Sequence, residues 1–257
     1  MSEYYKGKRS RNIYSPTDDK PFKLSRSKID LFMECQRCFY IDRRLGLGRP
    51  PGFPFALNSA VDSMLKREFD VLRENGGTHP LLEQFGVDAK PAPHDMLDEW
   101  RENFKGVQYL HEPTNLIITG AIDDLWINSK GEYIVADYKA TAKEEPVTEL
   151  TDKDYHNSYR RQLEVYQWLL RKNGLNVSNM AYWVYCTGNP NEESFDAVIN
   201  FDIHVIPHEG SDDWVEPTIV ELKKTLDSDN VPEADPDCDY CLYWNDRDEV
   251  IKTAQRP

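Results

Sequence analysis

The stretch from Leu116 to Ala140 constrains this chain more than any other. It reads Leu-Ile-Ile-Thr-Gly-Ala-Ile-Asp-Asp-Leu-Trp-Ile-Asn, then Ser-Lys-Gly, then Glu-Tyr-Ile-Val-Ala-Asp-Tyr-Lys-Ala. Two runs rich in β-branched and aromatic residues around a three-residue link ending in glycine predict a β-hairpin. Gly131 takes the left-handed position of the turn. If Asn128 faces Glu132, Asp123 falls opposite Asp137, and Lys139 projects on the same face as Asp137. Directly opposed side chains stand about 5 Å apart, and like charges there repel. Both aspartates also interrupt apolar runs that would otherwise read as core strand. A divalent cation such as Mg²⁺ or Mn²⁺ removes the repulsion, because hard cations bind carboxylate oxygens, water and phosphate. An ammonium beside it can position an attacking water or stabilise developing phosphate charge. The competing reading is a solvated hairpin face.

The rest of the chain mixes helices with further strands. A helix is expected from Ser25 or Ser27 to about Leu45, stopped by Gly46. A second runs from about Asn58 to Glu74, with Leu57, Val61, Met64, Leu65 and Leu72 as its apolar stripe. Short helical turns near 95–104, a helix over about 158–172, strands at 180–186 and 199–206, and a helix near 216–226 complete the pattern. Antiparallel pairing alongside helices predicts an α/β domain with a mixed sheet. Residues 1–22 are polar, with Pro16 and Pro21, and read as a flexible basic arm before one domain over 23–257.

In the helix after the hairpin, Gln162 and Tyr166 are four residues apart and share a face. Gln can bond a phosphate or a metal-coordinated water, and Tyr can stack on a base or bond a phosphate oxygen. Taken together, Gly120-Ala-Ile-Asp123, Asp137-Tyr-Lys139 and Gln162-x-x-x-Tyr166 resemble the PD-(D/E)xK nuclease superfamily, in particular its RecB-like branch. The opening Leu24-Ser-Arg-Ser-Lys-Ile-Asp-Leu-Phe-Met-Glu-Cys35 is similar to the start of RecB-, AddB- and CRISPR-adaptation-type nuclease domains. The resemblance spans about residues 24–241. It implies a restriction-endonuclease-like core whose mixed sheet is flanked by helices. It further implies that Asp123 and Asp137 ligate a catalytic metal, that Lys139 assists phosphodiester hydrolysis, and that Gln162 and Tyr166 complete the site. Such nucleases commonly place a metal-binding histidine at the start of the helix beginning here near Asn58. Asp62 stands in that slot as a third oxygen ligand, with Glu68 as its competitor.

Of five cysteines, four form two Cys-x-x-Cys pairs, Cys35/Cys38 and Cys238/Cys241, which look like two halves of one metal or cluster site. In the AddB- and CRISPR-adaptation-type nucleases that the chain resembles, one N-terminal and three C-terminal cysteines hold a four-iron four-sulfur cluster joining the chain ends. Here the last cysteine of that set is absent and Cys38 is additional. The resemblance therefore implies a 4Fe–4S cluster, with four-thiolate Zn²⁺ as the alternative. Either would join the termini. Cys186, in an apolar strand, reads as core.

The formal charge of −14 argues against simple electrostatic attraction to nucleic acid, yet residues 1–50 carry twelve of the 31 Lys/Arg and six of the 45 Asp/Glu. A basic first fifth can face phosphate. Arg37, Arg43, Arg44 and Arg49 are candidate backbone contacts, and Tyr40, Phe53 and Phe55 candidate stacking residues. No apolar run has the length of a membrane span, and the first residues lack a signal-type stretch, so a cytoplasmic protein is expected. The expected function is DNA cleavage on single strands or ends. A separate helicase or CRISPR-adaptation protein is the expected partner. The alternatives are a non-catalytic nucleic-acid-binding or assembly module and an enzyme acting on RNA.

Overall fold

A computed structural model describes residues 7–52 and 56–254. In chain order the elements are β1 (Phe22–Ser25), α1 (Arg26–Glu34), α2 (Gln36–Arg43), α3 (Ala56–Asn75), α4 (Pro80–Gln84), β2 (Lys90–Pro91), α5 (Leu97–Arg101) and β3 (Val107–His111). There follow β4 (Leu116–Gly120), β5 (Asp124–Ile127), β6 (Tyr133–Ala142), α6 (Asp154–Lys172), β7 (Met180–Gly188), β8 (Phe201–Glu209), α7 (Val215–Asp227) and α8 (Asp239–Ala254). The fold is α/β with mixed sheets flanked by helices. One sheet has the order β2-β5-β6-β7-β8, parallel only between β6 and β7; the other has the order β1-β4-β3. A parallel pair needs a crossover, and α6 supplies it. Among the described residues no helix is long and apolar enough to cross a membrane.

The chain divides into two compact units, each built from segments that are not continuous in sequence. One comprises residues 1–53, 110–118 and 216–257, the other 54–109 and 119–215. In the first, the expected flexible arm is held from Arg9 onward. Arg9 pairs with Asp42 at 2.8 Å, and the buried Tyr14 donates its hydroxyl to Asp227. The single helix expected over about 25–45 is broken at Cys35, whose extended backbone (φ −163°, ψ 109°) separates α1 from α2. No Gly or Pro marks that break.

In the second unit the hairpin register is the expected one, with Asp124 opposite Ala136 and the Asn128 amide donating to Glu132 at 3.1 Å. Gly131 adopts φ +78°. The long run 116–128 is not one strand, however. Its backbone leaves the ladder at 121–123, where the Ile122 amide donates to the Trp100 carbonyl at 3.1 Å and Arg101 Nε donates to the Asp123 carbonyl at 3.0 Å. Those bonds to the end of α5 replace the ladder, so β4 and β5 fall in different sheets. The stripe of α3 is also rotated from the expected one. Val61, Leu65 and Phe69 are buried against Trp126, Ala136, Tyr138 and Val184, while Leu57 and Met64 are exposed. Cys186 belongs to this core, as expected.

Candidate active site and cysteine site

The hairpin brings Asp123 and Asp137 close enough for each to shift the other's carboxyl. Asp123 lies just before β5, and its Oδ2 accepts the Tyr138 amide at 3.0 Å. Asp137 is fully buried in the middle of β6. It is ion-paired with Lys139 and accepts Gln162 Nε2 at 2.7 Å, while Gln162 Oε1 accepts from Lys139 Nζ at 3.2 Å. Burial pushes the Asp137 carboxyl up to about 7; Lys139 pulls it down, and the neighbouring Asp123 adds to the rise. On Asp123 burial acts the same way but is outweighed by Lys66, Lys139 and the Tyr138 amide, so its carboxyl lies below the usual range. For Lys139, burial is overcome by the two aspartates, which hold it protonated. An adjacent acid pair split in this way, with an ammonium beside it, has the donor chemistry of a site for a hard cation. Each ionised carboxylate has about four lone-pair sites, so the bonds already present leave capacity for an ion.

From α3, Asp62 and Lys66 reach this pair. Lys66 Nζ lies 2.9 Å from each Asp62 oxygen and 3.3 Å from Asp123 Oδ1. Asp62 is thus gathered into the cluster. Glu68 is not: its side chain is 61% exposed and faces His79 Nε2 at 3.2 Å. Its candidacy rested on the stripe that the true burial of α3 displaces. Burial raises the Asp62 carboxyl, and Asp123 adds to it. The sequence reading missed Lys66, although an Asp62–Lys66 pair four apart on a helix is a legible signal. It also missed the buried Asp124. That carboxylate accepts Arg101 at 2.7 Å, the Tyr138 hydroxyl at 2.6 Å and Trp126 Nε1 at 3.1 Å, and pairs with Arg73. Arg101 also clasps Asp70 through both carboxylate oxygens at 2.9 Å. Two arginines, a Tyr and a Trp therefore fix the strand segment that carries Asp123.

One face of α6 presents Tyr155, Tyr159, Gln162 and Tyr166. Tyr166 is buried, 4% exposed, so it packs within the core and does not offer a ring for stacking. Its hydroxyl accepts from Gln162 at 3.1 Å. Gly120 explains the glycine in the sequence motif, since a Cβ there would lie 2.6 Å from the Tyr166 ring. Nearer solvent, the Tyr159 ring stands 4.6 Å from Lys139 Nζ, and Tyr155, 42% exposed, lies edge-on to it at 6.0 Å.

In the other unit, Cys35, Cys38, Cys238 and Cys241 converge, with all sulfurs within 4.8 Å of one another. Individual Sγ···Sγ separations are 3.9 Å (Cys35–Cys241), 3.6 Å (Cys38–Cys238) and 3.7 Å (Cys38–Cys241). Arg49 donates to Cys238 Sγ at 3.4 Å. Burial raises the Cys38 thiol to about 11; at Cys35 it is outweighed by the amides of Asp235 and Cys38 and by neighbouring thiols, which bring that thiol to about 7. The four sulfurs form a closed group that can hold a metal and join residues 200 apart.

The expected nucleic-acid contacts of the N-terminal segment are otherwise engaged. Arg43 is buried against Asp42, Arg44 pairs with Asp229, Arg49 with Glu34, and Arg37 donates to the Pro232 carbonyl at 2.9 Å. Tyr40 is 3% exposed and donates to the Ser228 carbonyl, so it is core. Phe53 and Phe55 lie outside the described residues.

A family model described as the PD-(D/E)XK nuclease superfamily matches residues 52–245. No curated protein matches the chain. A solved chain described as "Crystal structure of SSO0001" is similar at 17% identity, covering 90% of this chain and 87% of that one, with a TM-score of 0.38. That likeness is too slight to carry weight.

Proposed function

Since the chain belongs to the PD-(D/E)XK nuclease superfamily, we propose that it is a Mg²⁺- or Mn²⁺-dependent deoxyribonuclease acting on single strands or DNA ends. The observation that carries this reading is the pairing of the half-buried Asp123 with the buried Asp137, to which Lys139 is ion-paired. Asp123 and Asp137 would hold the ion, and Asp62 stands beside them through Lys66, which bridges it to Asp123. A divalent ion held there would supply polarisation of a phosphoryl oxygen and a more acidic water. The protein's own part is positioning. Gln162 holds Asp137 and Lys139 together, the Tyr138 amide holds Asp123, and the Lys139 ammonium faces the charge that develops on phosphate. The exposed Tyr155 ring, edge-on to the half-buried Tyr159, favours a substrate with unpaired bases, because stacking on it needs bases free of a duplex. DNA is the proposed partner, with a separate helicase or CRISPR-adaptation protein supplying opened strands.

The test is cleavage of labelled single- and double-stranded DNA and of RNA with Mg²⁺ or Mn²⁺. Wild type is expected to cut single-stranded DNA. Asp137→Ala and Lys139→Ala should each lose about 10²–10³-fold or more, the scale for removing one preorganised charged group. Unchanged cleavage in both variants sinks the catalytic reading. DNA binding without cleavage by wild type would instead favour a non-catalytic binding module.

For the cysteines, the spacing favours a single tetrahedral ion. Four thiolates about 2.3 Å from Zn²⁺ stand roughly 3.8 Å apart, which agrees with the three separations of 3.6–3.9 Å and with a group whose sulfurs all lie within 4.8 Å of one another. A cube of four irons spreads its thiolates farther, because each binds a different corner. Zn²⁺ is accordingly the proposed occupant and a 4Fe–4S cluster the competing one. Colourless protein with one zinc per chain is the expected result. Brown protein with broad visible absorbance overturns it.

A further inference from the structure

Lys66 joins α3 to the carboxylate pair, and nothing in the hydrolytic scheme requires it. Its ammonium has three donors, and three carboxylate oxygens surround it: both of Asp62 at 2.9 Å and Asp123 Oδ1 at 3.3 Å. With Lys139, the cluster holds two ammonium groups among the three carboxylates Asp62, Asp123 and Asp137, a formal balance of one negative charge. One divalent ion reverses that to a single positive charge, which the single negative charge of a phosphodiester cancels. A second ion would leave a large excess of positive charge.

Two-metal nucleases set their ions about 3.5–4 Å apart, so carboxylate oxygens must serve both. Here the oxygens on the α3 side are occupied by an ammonium tethered to the chain. Its side chain is 21% exposed, and it reaches from a helix fixed by Val61, Leu65 and Phe69. A solvated surface pair would not be shared with a carboxylate of the hairpin.

We infer that Lys66 is a resident cation standing in place of a second divalent ion, so that this centre takes one metal ion, with Asp62 serving as the anchor of Lys66. The inference rests on the proposed metal centre at Asp123 and Asp137. It makes Lys66 a positioning and charge-balancing residue, and gives the residue at the usual histidine slot an indirect part.

The experiment counts bound Mn²⁺ by the paramagnetic resonance of the free ion during titration of the full chain. The Asp123→Asn/Asp137→Asn double variant supplies the baseline for ions held elsewhere, the cysteines included. Wild type is expected to bind one ion above that baseline. Lys66→Met, which keeps length and loses charge, should bind one more, and Lys66→Arg should return the count to that of wild type. Lys66→Gln serves in place of Lys66→Met if the latter does not fold. A wild-type count of two overturns the inference, and so does a neutral variant that still binds only one. A wild-type count equal to the baseline removes the metal centre itself, and that outcome is distinct from the other two.

Discussion

The carboxylate site and the cysteine site differ in what their donors have left to give. Each oxygen of Asp123 and Asp137 already accepts from, or pairs with, a group of the same unit: Lys66, the Tyr138 amide, Gln162 or Lys139. The charges there are nearly balanced without an ion, and carboxylates retain lone pairs for one. The four thiols have mainly one another and Arg49. Four soft donors at tetrahedral spacing fill a coordination sphere and leave no position for substrate. The first arrangement suits an ion that works on a substrate, the second an ion that holds chain together.

The sharpest way to break that contrast is Cys38→Ser. The cysteine site links segments 200 residues apart, and a link of that span is worth on the order of 5 kcal/mol through the entropy of the unfolded chain. Chemical denaturation followed by fluorescence should show a loss of that order. Cleavage per folded molecule should stay close to wild type, since every proposed catalytic group lies in the other unit. A variant that keeps its denaturation midpoint but loses cleavage would exchange the roles assigned to the two sites.

The two sites were also unequally legible in the sequence. The hairpin was readable because alternation and the Ser-Lys-Gly turn fix register locally, so Asp123, Asp137 and Lys139 could be aligned from spacing alone. The four cysteines were readable because few residue types pair at such spacing for any other reason. Lys66 and Asp124 were not singled out, because ion pairs across elements depend on which face of α3 is buried. That face was misjudged by counting Leu57 and Met64 as core. α8 escaped for a related reason: of its residues only Cys241 is buried, while Tyr243, Trp244 and Val250 are exposed, so no apolar stripe marks it.

Asp124 sharpens the comparison from inside the unit that carries the carboxylate pair. Asp124→Asn removes the buried charge on which Arg73 and Arg101 converge, leaving two largely covered guanidinium groups to share the partly exposed Asp70. Breaking a buried pair from one side costs about 3–5 kcal/mol. Because Arg101 also holds the Asp123 carbonyl at 3.0 Å, cleavage should fall along with stability, unlike in Cys38→Ser. Asp70→Asn, at a carboxylate 39% exposed, should cost less in both. Equal losses in the two variants would mean that Asp124 does not anchor the strand.

The smallest expected effect tests whether packing alone can disturb the carboxylate site. Gly120→Ala adds one methyl group, placed 2.6 Å from the Tyr166 ring and 3.2 Å from Leu169. Overpacking of this kind costs about 1–3 kcal/mol. The ring must move, and its hydroxyl is the group that Gln162 donates to while it also donates to Asp137. Cleavage should therefore fall although no charged residue has changed. Adding Tyr166→Ala makes room for the methyl group but removes the hydroxyl. The double variant should then be less destabilised than the two single changes sum to, while cleavage stays low. Recovery of cleavage in the double variant would show that Tyr166 only fills space beneath Gly120 and has no part in holding Gln162.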